Sequence, residues 1–326
     1  MKIVLLLSTL LFASIAHAEN KPDLPGLPEF LTEMQQKHGF DSNKLAASFA
    51  QVEVKDAILT AISRPAEKSK DWFEYRAIFM TESRINGGIE FWQQHAQDLA
   101  RAEKKYGVPA EIIVAILGVE TRYGGNVGGY RVIDALSTLA FKYPPRSPFF
   151  RSELEAFLLL TREEKISLLS PMGSYAGAMG LGQFMPSSYR EYAVDFDDDG
   201  HRDIWTNPTD AIGSIANYLK RHGWVVGKSI VHPTYFSGKV ADDLIEKGMK
   251  PSISRQDLTT AGVSLRGVPE DNDSLAIISL TQQNGEEYWL ARQNFYAITR
   301  YNHSRMYAMV VTQLGQAIRS GYEGLQ

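Results

Sequence analysis

Apolar residues recurring every three or four positions run through most of the chain and predict a mainly helical protein. Asp41-Ser42 can cap a helix through Leu45, Phe49 and Val52, and Trp72, Phe73, Tyr75, Phe79, Phe91 and Trp92 supply aromatic bulk to a core. Gly107-Val108-Pro109 ends one helix and opens the next with proline in its first turn, and that helix runs to Tyr123 and closes at Gly124-Gly125. From Val225 to about Trp289 the pattern changes. Short β-branched runs at 228–232, 262–265 and 275–280 are separated by Gly, Pro, Asp and Asn and predict strands. Helical spacing returns from Ser304 to Ile318 through Met306, Met309, Val310 and Leu314. The expected class is α+β, mainly α: a helical lobe over 30–105, a helical core over 106–224, a small inserted β-rich lobe over 225–290, and a return to the helical part over 291–326.

The N-terminus has its own pattern. Lys2, an apolar run from Ile3 to Ile15, and Ala16-His17-Ala18 read as a signal peptide over 1–18, cleaved after Ala18. The run is too short to cross a bilayer of about 30 Å, and the chain has no cysteine to carry a lipid. The expectation is a soluble periplasmic protein, monomeric and without a membrane anchor. Pro22, Pro25, Gly26 and Pro28 suit an extended tether over 19–29. Without cysteine no disulfide holds the exported fold, so an apolar core must do so. The formal charge of -4, one unit more negative once Lys2 is removed, gives no footprint for nucleic acid.

Two features carry candidate chemistry. Glu120 follows Ile113, Ile116 and Leu117 by seven, four and three positions, which puts a carboxyl group on the apolar face of its helix. Loss of hydration disfavours the charged form, and a carboxyl that keeps its proton near neutral pH can act as a general acid. A structural glutamate paired with Arg122 has the same pattern. The second feature is the segment 174–188, with glycines at 177, 180 and 182 beside Gln183. Missing side chains let a backbone or a ligand approach closely, and the Gln183 amide offers both a donor and an acceptor to an acetamido group.

Gly118-Val119-Glu120-Thr121-Arg122-Tyr123-Gly124 and Gly177-Ala178-Met179-Gly180-Leu181-Gly182-Gln183-Phe184-Met185-Pro186-Ser187-Ser188 together closely resemble the lytic murein transglycosylase B family, glycoside hydrolase family 103. The resemblance extends through Tyr189 to Trp224 and returns at Asn294-Phe295 and Thr299-Arg300-Tyr301-Asn302. It implies a lysozyme-like helical core that takes peptidoglycan glycan strands, with Glu120 as catalytic acid and base. It also implies glycan contacts from Tyr75, Ser174, Gln183, Phe184, Tyr218, Asn294 and Tyr301. Cell-wall synthesis proteins are the partners it suggests. Where the family pairs two arginines this chain has Pro145-Arg146, so the stem-peptide contacts implied there fall to Arg146 alone.

A conventional glycosidase sets a second carboxylate roughly 5 to 9.5 Å from the first, and no acidic residue stands in an obvious partner motif after Glu120. The resemblance implies that the substrate fills that role. Glu120 protonates the oxygen between N-acetylmuramic acid and N-acetylglucosamine, the 2-acetamido group stabilises the sugar cation, and Glu120 then takes the proton of the 6-hydroxyl to close a 1,6-anhydro ring. A lysozyme-type hydrolase and a non-catalytic glycan-binding protein are the alternatives.

Finally, Asp195-Phe196-Asp197-Asp198-Asp199-Gly200-His201-Arg202-Asp203 matches the first half of a calcium-binding EF-hand loop, with side-chain oxygens from Asp195, Asp197, Asp199 and Asp203, glycine at the sixth position and a backbone carbonyl from His201. Thr206 stands at the twelfth position in place of glutamate, and the resemblance puts the closing carboxylate at Asp210. The expectation is a structural calcium site and no catalytic cofactor. A solvated acidic turn before a helix capped by Asn207 is the plainer reading.

Overall fold

The structure, a computed structural model, describes residues 22–63, 70–236 and 242–325, with backbone only at 242–243. The signal peptide and the start of the tether lie outside the described residues. The rest of the tether is shorter than expected. Leu24 is buried, and Pro28 sits in the first turn of a helix that already begins at Leu27, where its missing N–H costs nothing.

Among the described residues, six helices form the first part: α1 (Leu27–His38), α2 (Ser42–Phe49), α3 (Asp56–Ile62), α4 (Trp72–Phe79), α5 (Glu82–Gln94) and α6 (Ala96–Tyr106). As expected, Asp41 caps α2, its carboxylate accepting from the amides of Asn43 (2.9 Å) and Lys44 (3.1 Å). The middle part holds α7 (Ala110–Thr121), the short strand β1 (Tyr130–Arg131), α8 (Val132–Lys142), α9 (Ser147–Glu163), β2 (Met172–Gly173), α10 (Pro186–Tyr192) and α11 (Pro208–Arg221). Every residue of α7 from Ile112 to Gly118 is buried, so this helix is apolar all round and forms the axis of the core. Helices α5, α6 and α11 surround it, together with α15 (Arg305–Glu323) near the C-terminus, and α8 and α9 pair beside them.

The β-rich part contains β3 (Val231–Thr234), α12 (Asp242–Glu246), α13 (Arg255–Thr260), β4 (Ala276–Gln282) and β5 (Gly285–Ala291), followed by α14 (Gln293–Thr299). Its sheet is antiparallel in the order β3-β5-β4. The run at 275–280 became β4, whereas 262–265 contributes one isolated bridge, Val263 to Phe236. The polar start of β5, Gly-Glu-Glu, concealed a strand that pairs on both sides. Alternation along β4 divides two cores: Ala276, Ile278 and Leu280 join the main one, and Ile277 packs with Leu258, Val263, Leu275 and Leu290 in a smaller one. Arg292, almost fully buried, ties this part down through Asp271 and Asp273.

Helix α7 ends earlier than its glycines suggest. Arg122 and Tyr123 take left-handed backbone conformations (φ 52° and 61°), an arrangement that usually selects glycine. The reason is the Tyr123 ring, which turns back between α5 and α7 and donates its hydroxyl to the Arg84 carbonyl at 2.7 Å. A Cβ on Gly118 would lie 2.5 Å from that hydroxyl oxygen, and one on Gly88 would lie 2.7 Å from it. The glycines make the slot that the tyrosine fills.

Candidate active site

Glu120 sits on the last turn of α7, half-buried, with Ile113, Ile116 and Leu117 fully buried behind it. Tyr307 of α15 donates its hydroxyl to Glu120 Oε1 at 2.6 Å. The Tyr307 phenol is itself buried, and burial together with the negative charge of Glu120 pushes its pKa well above the ordinary tyrosine value. It therefore remains a donor at neutral pH. Tyr301 stacks parallel to Tyr307 with ring centroids 6.4 Å apart, and Tyr75 of α4 is close enough to act electrostatically on Tyr307. Three tyrosines thus gather beside one carboxylate. Tyr307 was missed by sequence reasoning, because within 304–318 it looks like one more core position.

The glycine-rich segment reaches this carboxylate through Thr121. Its hydroxyl donates to the Leu181 carbonyl at 2.8 Å, which ties the end of α7 to the segment. Met179 and Phe184 exchange backbone hydrogen bonds around a tight turn in which Gly180 and Gln183 are left-handed (φ 69° and 52°). A Cβ on Gly180 would meet the Ile204 carbonyl at 2.4 Å, so here the glycine admits the chain's own backbone.

Gln183 is oriented by this turn. Its Nε2 donates to the carbonyls of Val127 (3.1 Å) and Gly180 (2.9 Å), and two carbonyl partners fix which end of the amide is nitrogen. Both donors are used. The expectation of a donor and an acceptor for a ligand narrows to an acceptor, Oε1. Ser174 Oγ accepts from the amides of Ala176 and Ala178, leaving its own proton to donate.

Phe184, Tyr218 and Tyr301 form a contiguous aromatic group, with centroids 5.7 Å (Phe184 to Tyr218), 5.8 Å (Phe184 to Tyr301) and 4.9 Å (Tyr218 to Tyr301) apart. Phe184 and Tyr218 are largely buried, and Tyr301 donates its hydroxyl to the Gly182 carbonyl at 2.5 Å. Asn294 departs from expectation. It is fully buried, its Oδ1 accepts from the Val225 amide (2.7 Å), and its Nδ2 donates to the carbonyls of Val225 (2.9 Å) and Lys228 (2.7 Å). Its polar atoms are spent on the 225–228 turn, which it shapes from inside the core. Arg146 is exposed just before α9, its guanidinium over the rings of Phe149 and Phe150.

In the acidic loop, carboxylate oxygens of Asp195, Asp197 and Asp210 lie within 4.8 Å of one another. Asp210 is fully buried and accepts from the amides of Phe196 (2.7 Å) and Asp203 (2.8 Å). Burial, reinforced by the negative charges of Asp197 and Asp195, pushes its pKa up to about 6. Three converging acids, one of them buried, suit a hard cation. Asp199 lies outside this group of side-chain oxygens. Asp199 Oδ1 is turned to the His201 amide at 2.8 Å, so the side-chain oxygen expected from Asp199 goes to the turn.

A buried helical axis ending in one half-buried carboxylate beside tyrosines, next to a turn that presents an amide oxygen, defines a lysozyme-like glycan-cleaving enzyme. The transglycosylase SLT domain matches the chain over residues 25–316, and the chain belongs to that family. It is 43% identical over 303 residues to membrane-bound lytic murein transglycosylase B of Escherichia coli (strain K12), a match that covers 90% of this chain and 82% of the relative. The soluble lytic transglycosylase of Pseudomonas aeruginosa superposes with a TM-score of 0.86 at 53% identity, over 91% of this chain and 99% of that one. A lytic transglycosylase of Escherichia coli in complex with calcium gives 0.84 at 42% identity, over 92% and 94%. The chain is a peptidoglycan-cleaving lytic transglycosylase. No helix among the described residues is long and apolar enough to cross a membrane.

Proposed function

We propose that Glu120 carries out both proton transfers of this reaction. It gives its proton to the oxygen between N-acetylmuramic acid and N-acetylglucosamine, the substrate's 2-acetamido group stabilises the sugar cation, and the resulting carboxylate takes the proton of the 6-hydroxyl as the 1,6-anhydro ring closes. The observation that carries this reading is the hydrogen bond from Tyr307 to Glu120 Oε1. A neutral donor stabilises the carboxylate formed halfway through the reaction. Gln183 Oε1 accepts from an acetamido N–H, Ser174 donates to a sugar oxygen, and the half-buried ring of Tyr301 packs on a pyranose face, whereas Tyr75, buried in the core, supports Tyr307 from behind. Replacing Glu120 with Gln and digesting purified sacculi tests this. Release of 1,6-anhydro products, each lighter by one water than a hydrolytic product, should cease while sacculus binding persists. Substantial residual turnover would remove Glu120 from the mechanism.

The loop is a structural calcium site in this reading, held by Asp195, Asp197 and Asp210. The cation compensates the buried charge of Asp210 and takes no part in the chemistry. Residues 1–18 direct the enzyme to the periplasm, where its substrate lies. There it acts as a monomer, alongside cell-wall synthesis proteins.

A further inference from the structure

Glu120 and Gln183 stand on different stretches of chain, the first on the last turn of α7 and the second in the glycine-rich turn, and Thr121 joins the two. Its side chain is almost fully buried. The hydroxyl has one proton to give, and two carbonyls lie within reach of it: Leu117, one turn back in α7, at 3.3 Å, and Leu181, 60 positions further on, at 2.8 Å. The shorter contact takes the proton. A threonine within a helix can satisfy its hydroxyl on the carbonyl four residues back, so this bond is directed away from the local partner and across the fold. The same oxygen accepts from the Gly124 amide at 3.0 Å, where the chain leaves α7.

Leu181 is held on both of its polar groups. Its carbonyl takes the Thr121 proton, and its amide donates to the Ile204 carbonyl at 2.9 Å. The next carbonyl, that of Gly182, accepts from the Tyr301 hydroxyl, and Tyr301 stacks on Tyr307, the donor to Glu120. A Cβ on Gly182 would lie 2.8 Å from the Tyr301 hydroxyl oxygen, so the glycine makes room for this tie. Two successive carbonyls before Gln183 are thus fastened to the surroundings of the Glu120 carboxylate. Thr121 does so as its neighbour in the chain, and Tyr301 as the ring beside its hydrogen-bond donor. Of the two, Thr121 is the one too deeply buried to touch a substrate.

We propose that Thr121 is a positioning residue of the reaction, fixing the separation between the Glu120 carboxyl and the Gln183 amide so that both engage one bound sugar at once. This role rests on the reading of Glu120 and Gln183 given above. An acid that must reach one atom of a sugar while an amide oxygen holds another works only when the two are spaced to fit, and misplacement by about 1 Å costs about a hundredfold in rate. A buried hydroxyl makes that spacing stiff, because letting go would leave the Leu181 carbonyl unpaired away from water.

Thr121→Val keeps the shape of the side chain and removes the hydroxyl, whereas Thr121→Ser keeps the hydroxyl. On soluble peptidoglycan strands Thr121→Val should lower kcat about tenfold to thirtyfold with KM changed less than about threefold, and Thr121→Ser should hold kcat within about threefold of wild type. Melting curves should place both variants within roughly 8 °C of wild type and folded at the assay temperature. The decisive measurement is the double variant. Adding Thr121→Val to Gln183→Ala should slow the enzyme less than about twofold further, because the amide that Thr121 places is already gone. Losses that multiply would make Thr121 a packing residue of the helix end and overturn the proposal, as would wild-type turnover in Thr121→Val or a Thr121→Ser variant as slow as Thr121→Val. Should Thr121→Val not fold, Thr121→Ala takes its place in the same cycle. Glu120→Gln keeps the two possible failures apart: turnover retained there removes the reading of Glu120, whereas an inert Glu120→Gln with multiplying losses removes only the role of Thr121.

Discussion

Two acidic regions of the molecule handle negative charge in opposite ways. At the end of α7, Glu120 is half-buried, and its characterised hydrogen bond comes from a neutral phenol at 2.6 Å. In the loop before α11, three aspartates approach within 4.8 Å and the most buried of them, Asp210, has its pKa pushed up to about 6. One arrangement gives the carboxylate a neutral hydrogen-bond donor. The other is poor for proton traffic and good for a cation, because crowded carboxylates repel one another until positive charge arrives. The partners of the carboxylates, rather than their number, decide the chemistry.

The largest effect that can break this contrast is at Glu120 itself. Glu120→Gln should lower turnover of sacculi at least about a thousandfold with little change in Tm, measured by product release and by melting. Next is Tyr307→Phe, which removes the donor and keeps the ring. Turnover should fall about tenfold to a hundredfold, and the pH–rate profile should move to higher pH, because the lost hydrogen bond favoured the carboxylate. A lower rate with an unmoved profile would make Tyr307 a packing residue only. At the loop, calcium at about a hundredfold excess over Kd should raise the Tm of the wild type by on the order of 5 °C, and Asp210→Asn should abolish that response. The smallest effect separates the geometry from the motif. Asp199→Ala should weaken calcium binding less than about threefold, since its carboxylate already serves the turn; a loss as large as that of Asp210→Asn would return Asp199 to the metal.

Features set by short stretches of chain were legible in advance. The Asp41 cap, the buried helix before Glu120, the start of β4 and the acidic loop are each written in a few adjacent residues. What escaped depends on residues far apart in sequence. Tyr307 lies 187 positions from the carboxylate it touches, and nothing in its own helix distinguishes it from a core residue. Asn294 carries a residue type suited to sugars, yet it spends every polar atom on a turn nearly 70 positions away. The end of α7 was misjudged because a glycine pair looked like its stop, whereas a tyrosine inserted between helices forces the stop two residues sooner.

That tyrosine also bears on how the molecule opens. With its ring seated against Gly88 and Gly118 and its hydroxyl on Arg84, neither α5 nor the end of α7 can loosen without expelling it. Amide hydrogen exchange should therefore record these two segments leaving together, as one cooperative unit, although some thirty residues of chain separate them. The stretch of backbone that holds the Glu120 carboxylate would then be among the last parts of the protein to become accessible to solvent deuterium.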